Sequence, residues 1–165
     1  ASENGNAGFA VEYAQADTDS WTELSFIESA GNTKSETGYT YRASDLGFGA
    51  FKFRLRQVDV DGSASYSAEV EVSIDVPNEF VLGSPYPNPF NPSASFTLAI
   101  KEQQEVRVEL YNMLGQMIEV LHDGVLGSNQ THTFSIDGAS LSSGMYLVRI
   151  AGDNFTTTQT ATLLK

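Results

Sequence analysis

The sequence predicts an all-β protein of two small antiparallel β-sandwich modules, immunoglobulin-like in style, joined by a Pro-rich linker. Three observations carry that prediction. Apolar and polar residues alternate at period two in short runs separated by turn-rich segments, the rhythm of a sandwich. Gly and β-branched residues interrupt every candidate 3.6-residue periodicity, so no helix is predicted. All five prolines, Pro77, Pro85, Pro87, Pro89 and Pro92, fall in one window. Each lacks an N–H donor and fixes φ, so the window resists both helix and central strand. Charge divides there as well: residues 1–79 carry 14 acids and 5 bases, whereas residues 80–165 carry 7 and 4. The predicted domains are 1–77, a linker over 78–92, and 93–165.

In the first module the clearest strand is Phe51-Lys52-Phe53-Arg54-Leu55-Arg56, whose strict alternation of apolar and basic residues suits a sheet with one dry face. Asp61-Gly62 then favours a tight turn, and Glu69-Val70-Glu71-Val72-Ser73-Ile74 returns as a hairpin partner. Upstream, Phe9 to Tyr13, Trp21 to Ile27 and Tyr39 to Arg42 complete five short strands, about half of a sandwich. The second module has six candidates: Ser95 to Ile100, Glu105 to Tyr111, Met117 to Leu121, Thr131 to Ile136, Met145 to Ile150, and Phe155 onward to Leu164.

Composition bounds the chemistry. The 165 residues include 41% hydrophobic and 11% aromatic side chains, enough to build packed interiors. A formal charge of −12 disfavours nucleic acid and anionic membrane as partners, because both repel it. Without Cys, disulfides, thiolate nucleophiles and Cys-ligated metals are excluded. No run of apolar residues is long enough to span a bilayer, so the chain is expected not to be membrane-spanning and to be soluble.

No constellation points to catalysis. The serines lie in loops or at strand edges without a nucleophile elbow, and the paired carboxylates Glu69/Glu71 and Glu105/Glu109 read as solvated outer faces. His122 and His132 sit near the ends of successive strands, where pairing would bring them close, but no third His or Cys completes a zinc set. Asp59 and Asp61, flanking a glycine turn with Ser63, are a candidate calcium pair lacking the third acid and the distant Glu of a full loop; the alternative is a hairpin turn with acidic flanks. The expectation is a non-enzymatic protein with no cofactor and no metal.

Four segments occur in an order that carries a resemblance: Tyr86-Pro87-Asn88-Pro89-Phe90-Asn91-Pro92, Val106 through Gln116, Leu141 through Arg149, and Leu163-Leu164-Lys165. Together they resemble the C-terminal sorting domain of type IX secretion cargo, with Gln116 where that family usually has a basic residue. The resemblance implies a seven-stranded sandwich carried behind an unrelated passenger, recognised by outer-membrane secretion machinery and often cleaved during attachment to surface glycolipid. By matching position it implies a recognition role for Gly144, Tyr146, Leu163, Leu164 and Lys165. The first module resembles a fibronectin type III-like module at Ala1-Ser2-Glu3-Asn4, Gly8-Phe9, Val11-Glu12 and Phe53 to Asp59 with Asp61-Gly62, but lacks that pattern's first strands.

Three roles follow as expectations. The first is the C-terminal part of a protein at the extracellular or outer-membrane surface, a spacer module followed by an export and attachment signal. The second is self-assembly into a fibre, in which another copy's strand completes the open first module, with Phe155 to Leu164 as a donor. The third is a carbohydrate-binding accessory module of a secreted glycan-degrading enzyme, with Trp21, Tyr39 and Tyr41 as a stacking platform.

Overall fold

The computed structural model describes residues 5–31 and 37–165. Among them there is no helix, and the chain divides into two compact units, Ala1–Ile74 and Asp75–Lys165. Ala1 to Asn4, part of the fibronectin-like resemblance, lie outside the described residues.

The first unit is one antiparallel sheet. Its strands are β1 (Asn6–Gln15), β2 (Thr22–Glu28), β3 (Gly49–Asp59), β4 (Ala64–Tyr66) and β5 (Val70–Ile74), in the order β2-β1-β3-β4, with β5 also on β3. The predicted return arm Glu69 to Ile74 forms as β5, on Gly49–Phe53 positions, and an additional short strand, β4, precedes it on Arg56–Val58 positions, with a break between the two. Ser67 makes the break, its Oγ accepting from Leu55 N at 2.9 Å in place of a ladder partner. The predicted strand Tyr39 to Arg42 does not form. Its rings lie on the apolar sheet face instead of forming a ladder: Tyr39 packs at a tilt on Phe9, with ring centroids 5.5 Å apart, and the Tyr39 hydroxyl accepts from Ala30 N at 2.8 Å.

The two faces of this sheet do not divide as alternation alone suggests. Phe51 is buried, but on the same face Leu55 is 43% exposed and Val70 and Val72 also meet solvent. The basic face is the better covered. Arg54 and Arg56 both donate to the buried Glu12 carboxylate, at 2.8 and 2.7 Å, and Lys52 donates to Asp19 at 2.8 Å. Arg54 is also held between Trp21 and Tyr66, 3.9 and 4.2 Å from their ring centroids. A guanidinium stem and an indole ring together bury apolar area that a Lys-rich solvated face would leave wet. A cleft of about 240 Å³ remains on the apolar face, bounded by Phe9, Val11, Ile27, Tyr39, Tyr41 and Leu55.

The second unit is a two-sheet sandwich of seven strands. They are β6 (Phe80–Leu82), β7 (Ser93–Ile100), β8 (Gln104–Asn112), β9 (Met117–Leu126), β10 (Thr131–Asp137), β11 (Gly144–Gly152) and β12 (Thr156–Leu163). One sheet runs β10-β7-β6 and the other β12-β11-β8-β9. Alternate residues of facing strands meet in one core: Phe96, Leu98 and Ile100 from β7, Val106, Val108 and Leu110 from β8, Val148 and Ile150 from β11. Each fully buried side chain of this kind contributes about 1.5–3 kcal/mol of transfer free energy.

Residues 78–92, expected as a linker, are built into this unit. β6 lies among them and pairs with β7, Tyr86 pairs with Ser95, and Phe90 is a core residue. The prolines fall where no donor is needed: outside the β6 ladder, the N–H groups that bond to backbone in this stretch belong to Gly83, Tyr86 and Phe90. β12, expected as a donor strand for another copy, is paired with β11 over its whole length.

Candidate functional site

One end of the four-stranded sheet gathers the start of β11, the end of β12, the β8–β9 hairpin tip and the 88–92 segment, and it is built from the backbone outward. β12 is an edge strand, and an open edge is a template for unwanted pairing. Asn88-Pro89-Phe90 closes it. Phe90 N donates to Thr162 O at 2.8 Å, Leu164 N donates to Phe90 O at 3.0 Å, and Asn88 Oδ1 accepts from Thr162 N at 2.9 Å. Phe90 and Leu163 thus form a parallel bridge and drop both side chains into the core.

The residues assigned to recognition by sequence fall into two groups. Leu163 is fully buried and pairs with Gly144 across the β11–β12 ladder. Tyr146 is buried, and its hydroxyl donates to Ser142 O at 2.8 Å, bracing the turn before β11. Gly144 has φ +156°, a conformation side chains seldom adopt, although a Cβ there would meet open space. These three hold the fold. Leu164 is 55% exposed, and the Lys165 ammonium donates to Ala139 O at 2.7 Å on the exposed side of the same turn, with Lys165 N donating to Ser143 Oγ at 3.0 Å. Gly138 allows this turn to close, since a Cβ would lie 2.8 Å from Pro92 O and 2.9 Å from a Leu163 methyl.

The middle of the same sheet's outer face carries a buried anion. The Glu109 carboxylate accepts from Arg107 Nε at 2.8 Å, Arg149 Nη1 at 3.0 Å and Tyr111 Oη at 2.9 Å. Burial pushes its pKa up, but the hydrogen bonds from Tyr111 and Arg149 and the two guanidinium charges outweigh burial and hold it below the ordinary carboxylate value. Glu12 in the first unit repeats the device: burial opposes, Arg54 and Arg56 prevail, and its pKa is also lowered. A carboxylate with a depressed folded-state pKa stabilises the protein above its unfolded pKa and ceases to do so as pH falls through the folded value. The thermal midpoint is therefore expected to be flat down to about pH 5 and to fall below about pH 4.3. Glu109→Gln should reduce that fall in residues 75–165, as calorimetry across the acid range would show.

The remaining predicted centres are not brought together. His122 and His132 lie in different sheets, each with Nε2 against a nearby carbonyl, of Gly124 at 3.2 Å and Gly127 at 3.0 Å. The Asp59 and Asp61 carboxylates both accept from Ser63 Oγ, at 3.4 and 2.6 Å, and Asp61 also accepts from Ser63 N at 2.9 Å. That is hydrogen bonding of a tight turn, and among the described residues no group of three or more His, Asp or Glu converges as metal ligands. Trp21 lies over Arg54 on the charged face of the first sheet while Tyr39 packs on Phe9 on the opposite face, so the proposed aromatic platform is split.

Sequence reasoning missed the apolar character of this end. Met113, Leu114 and Met117 at the hairpin tip and Met145 at the start of β11 are all exposed, and they include all three methionines of the chain. The readable signal was an uncharged run from Leu110 to Ile118 in a chain with 21 acids.

These features define an immunoglobulin-like β-sandwich module with a sealed core and a sealed edge. Residues 84–163 match the family described as the secretion system C-terminal sorting domain. Over those residues the second unit is similar to a type IX sorting domain, a non-catalytic export signal of secreted proteins. No curated protein matches the chain. Among solved structures, dimeric latent PorU from Porphyromonas gingivalis is similar at 17% identity and a TM-score of 0.42, the match covering 97% of this chain. The chain spans 16% of that protein's length.

Proposed function

We propose that the chain is the C-terminal portion of a protein displayed at the cell surface, in which the first unit is a spacer and the second an export and attachment signal. The match of residues 84–163 to the sorting-domain family carries this reading. The outer-membrane secretion machinery is the partner, and it meets the second unit at the end of the four-stranded sheet. Within that end Leu164 and Lys165 are the recognition side chains within reach, whereas Gly144, Tyr146 and Leu163 act by holding them in place. The proposed role is structural and non-catalytic.

Deleting each unit in turn from the secreted protein tests this. Removal of residues 5–74 should leave the protein outside the cell, and removal of residues 75–165 should retain it inside, as immunoblots of culture medium, surface and cell fractions would report. Retention on loss of the first unit, with export on loss of the second, would reverse the assignment.

A further inference from the structure

The β8–β9 hairpin tip is an unusual place for apolar side chains. Leu114 is 84% exposed, and Met113, Met117 and Met145 are each between 46% and 61% exposed. Register places them together: Leu147 is opposite Tyr111, and Tyr111 is opposite Met117, so Met145 and Met113, two residues on, reach the same end of the sheet. By strand alternation Met117 and Met145 stand on the face turned away from the core, and Met113 lies in the exposed turn that follows Asn112. The stretches that reach this end, residues 110–118, 138–148 and 156–164, carry no charged residue; Asp137 directly precedes the second and Lys165 follows the third. The Lys165 ammonium is already turned onto Ala139 O.

An apolar surface free of charge costs little to desolvate, and methionines re-pack readily against differently shaped partners. In a chain of net charge −12, the hairpin tip and the start of β11 present no carboxylate of their own to an approaching apolar protein surface. We propose that Met113, Leu114, Met117 and Met145, continuous with Leu164, form the surface by which the second unit docks into an apolar pocket of the outer-membrane secretion machinery. This rests on the export role above and specifies the contact that performs it.

The test follows export of the full chain from a type IX-competent bacterium. The unsubstituted chain is compared with a triple variant (Met113→Gln, Met117→Gln, Met145→Gln), its apolar counterpart (all three Met→Leu), Leu114→Ser, and a distant control, Val125→Gln. Val125 is about as exposed as the three methionines but lies at the opposite end of β9. Urea unfolding of each purified chain establishes that it folds. The Gln variant and Leu114→Ser should lower the exported fraction about tenfold, as loss of interface anchors does. The Leu variant and the control should export normally. Normal export of a folded Gln variant and of Leu114→Ser overturns the proposal, as does equal loss in the Leu variant. If the Gln variant does not fold, Leu114→Ser decides alone, because a side chain so exposed has no packing to lose. Failure of the unsubstituted chain to be exported would instead overturn the export role itself.

Discussion

Phe90→Ala is expected to destabilise residues 75–165 by about 3–5 kcal/mol, a large fraction of the stability of a domain this size. The reason is the depth of the site. Phe90 comes from the proline-bearing stretch yet is only 1% exposed, and its backbone bonds to β12 on both sides, to Thr162 O and from Leu164 N. Truncation leaves a cavity beneath the β12 edge and loosens the segment that seals it. Neighbouring prolines cannot compensate, since their missing N–H groups offer no alternative pairing. Urea unfolding should show the midpoint shifted with the slope retained. A loss under about 0.5 kcal/mol, the usual result for a surface position, would mean that the stretch is a tether and not part of the core.

Leu163→Ala and Leu164→Ala should differ sharply although the residues are adjacent and identical. Leu163 is fully buried against the Gly138 turn and Phe90, so its truncation should cost about 2–5 kcal/mol. Leu164 points outward from the edge of the same strand, and its truncation should change stability by about 0.5 kcal/mol or less. Strand alternation makes this contrast obligatory once the register of β12 is fixed by Gly144 opposite Leu163. In export the order should be less unequal: loss of Leu163 acts by unfolding the domain, loss of Leu164 by removing a contact. Unfolding curves and exported fractions measured on the same two variants would separate the two effects.

Much of the fold was legible because half-buried strands announce themselves by period two. Phe51 to Arg56, Glu105 to Tyr111 and Met145 to Ile150 all form as strands, and in the last two the alternation fixes which side chains meet the neighbouring sheet. Three features were not legible, for distinct physical reasons. β6 and Phe90 were hidden by prolines, which forbid a central strand but permit an edge one. The Tyr39 to Arg42 run alternates like a strand, yet its rings gain more from lying on Phe9 and beside Leu24 than its backbone gains from a ladder. The coverage of Arg54 by Trp21 and Tyr66 is a contact between residues distant in sequence, which no local pattern encodes. Of the candidate site, the resemblance singled out Gly144, Tyr146, Leu163, Leu164 and Lys165, which lie together at one end of the sheet, but burial was needed to separate Tyr146 and Leu163 from Leu164 and Lys165.

The central claim is that residues 75–165 suffice as an export address. Its most direct test joins them to an unrelated folded reporter in a bacterium with a type IX secretion system and measures the reporter outside the cell. The reporter should leave the cell with these residues attached and stay within when residues 1–74 are attached instead. A reporter that remains inside while its attached 75–165 segment is folded and protease-resistant would contradict the claim.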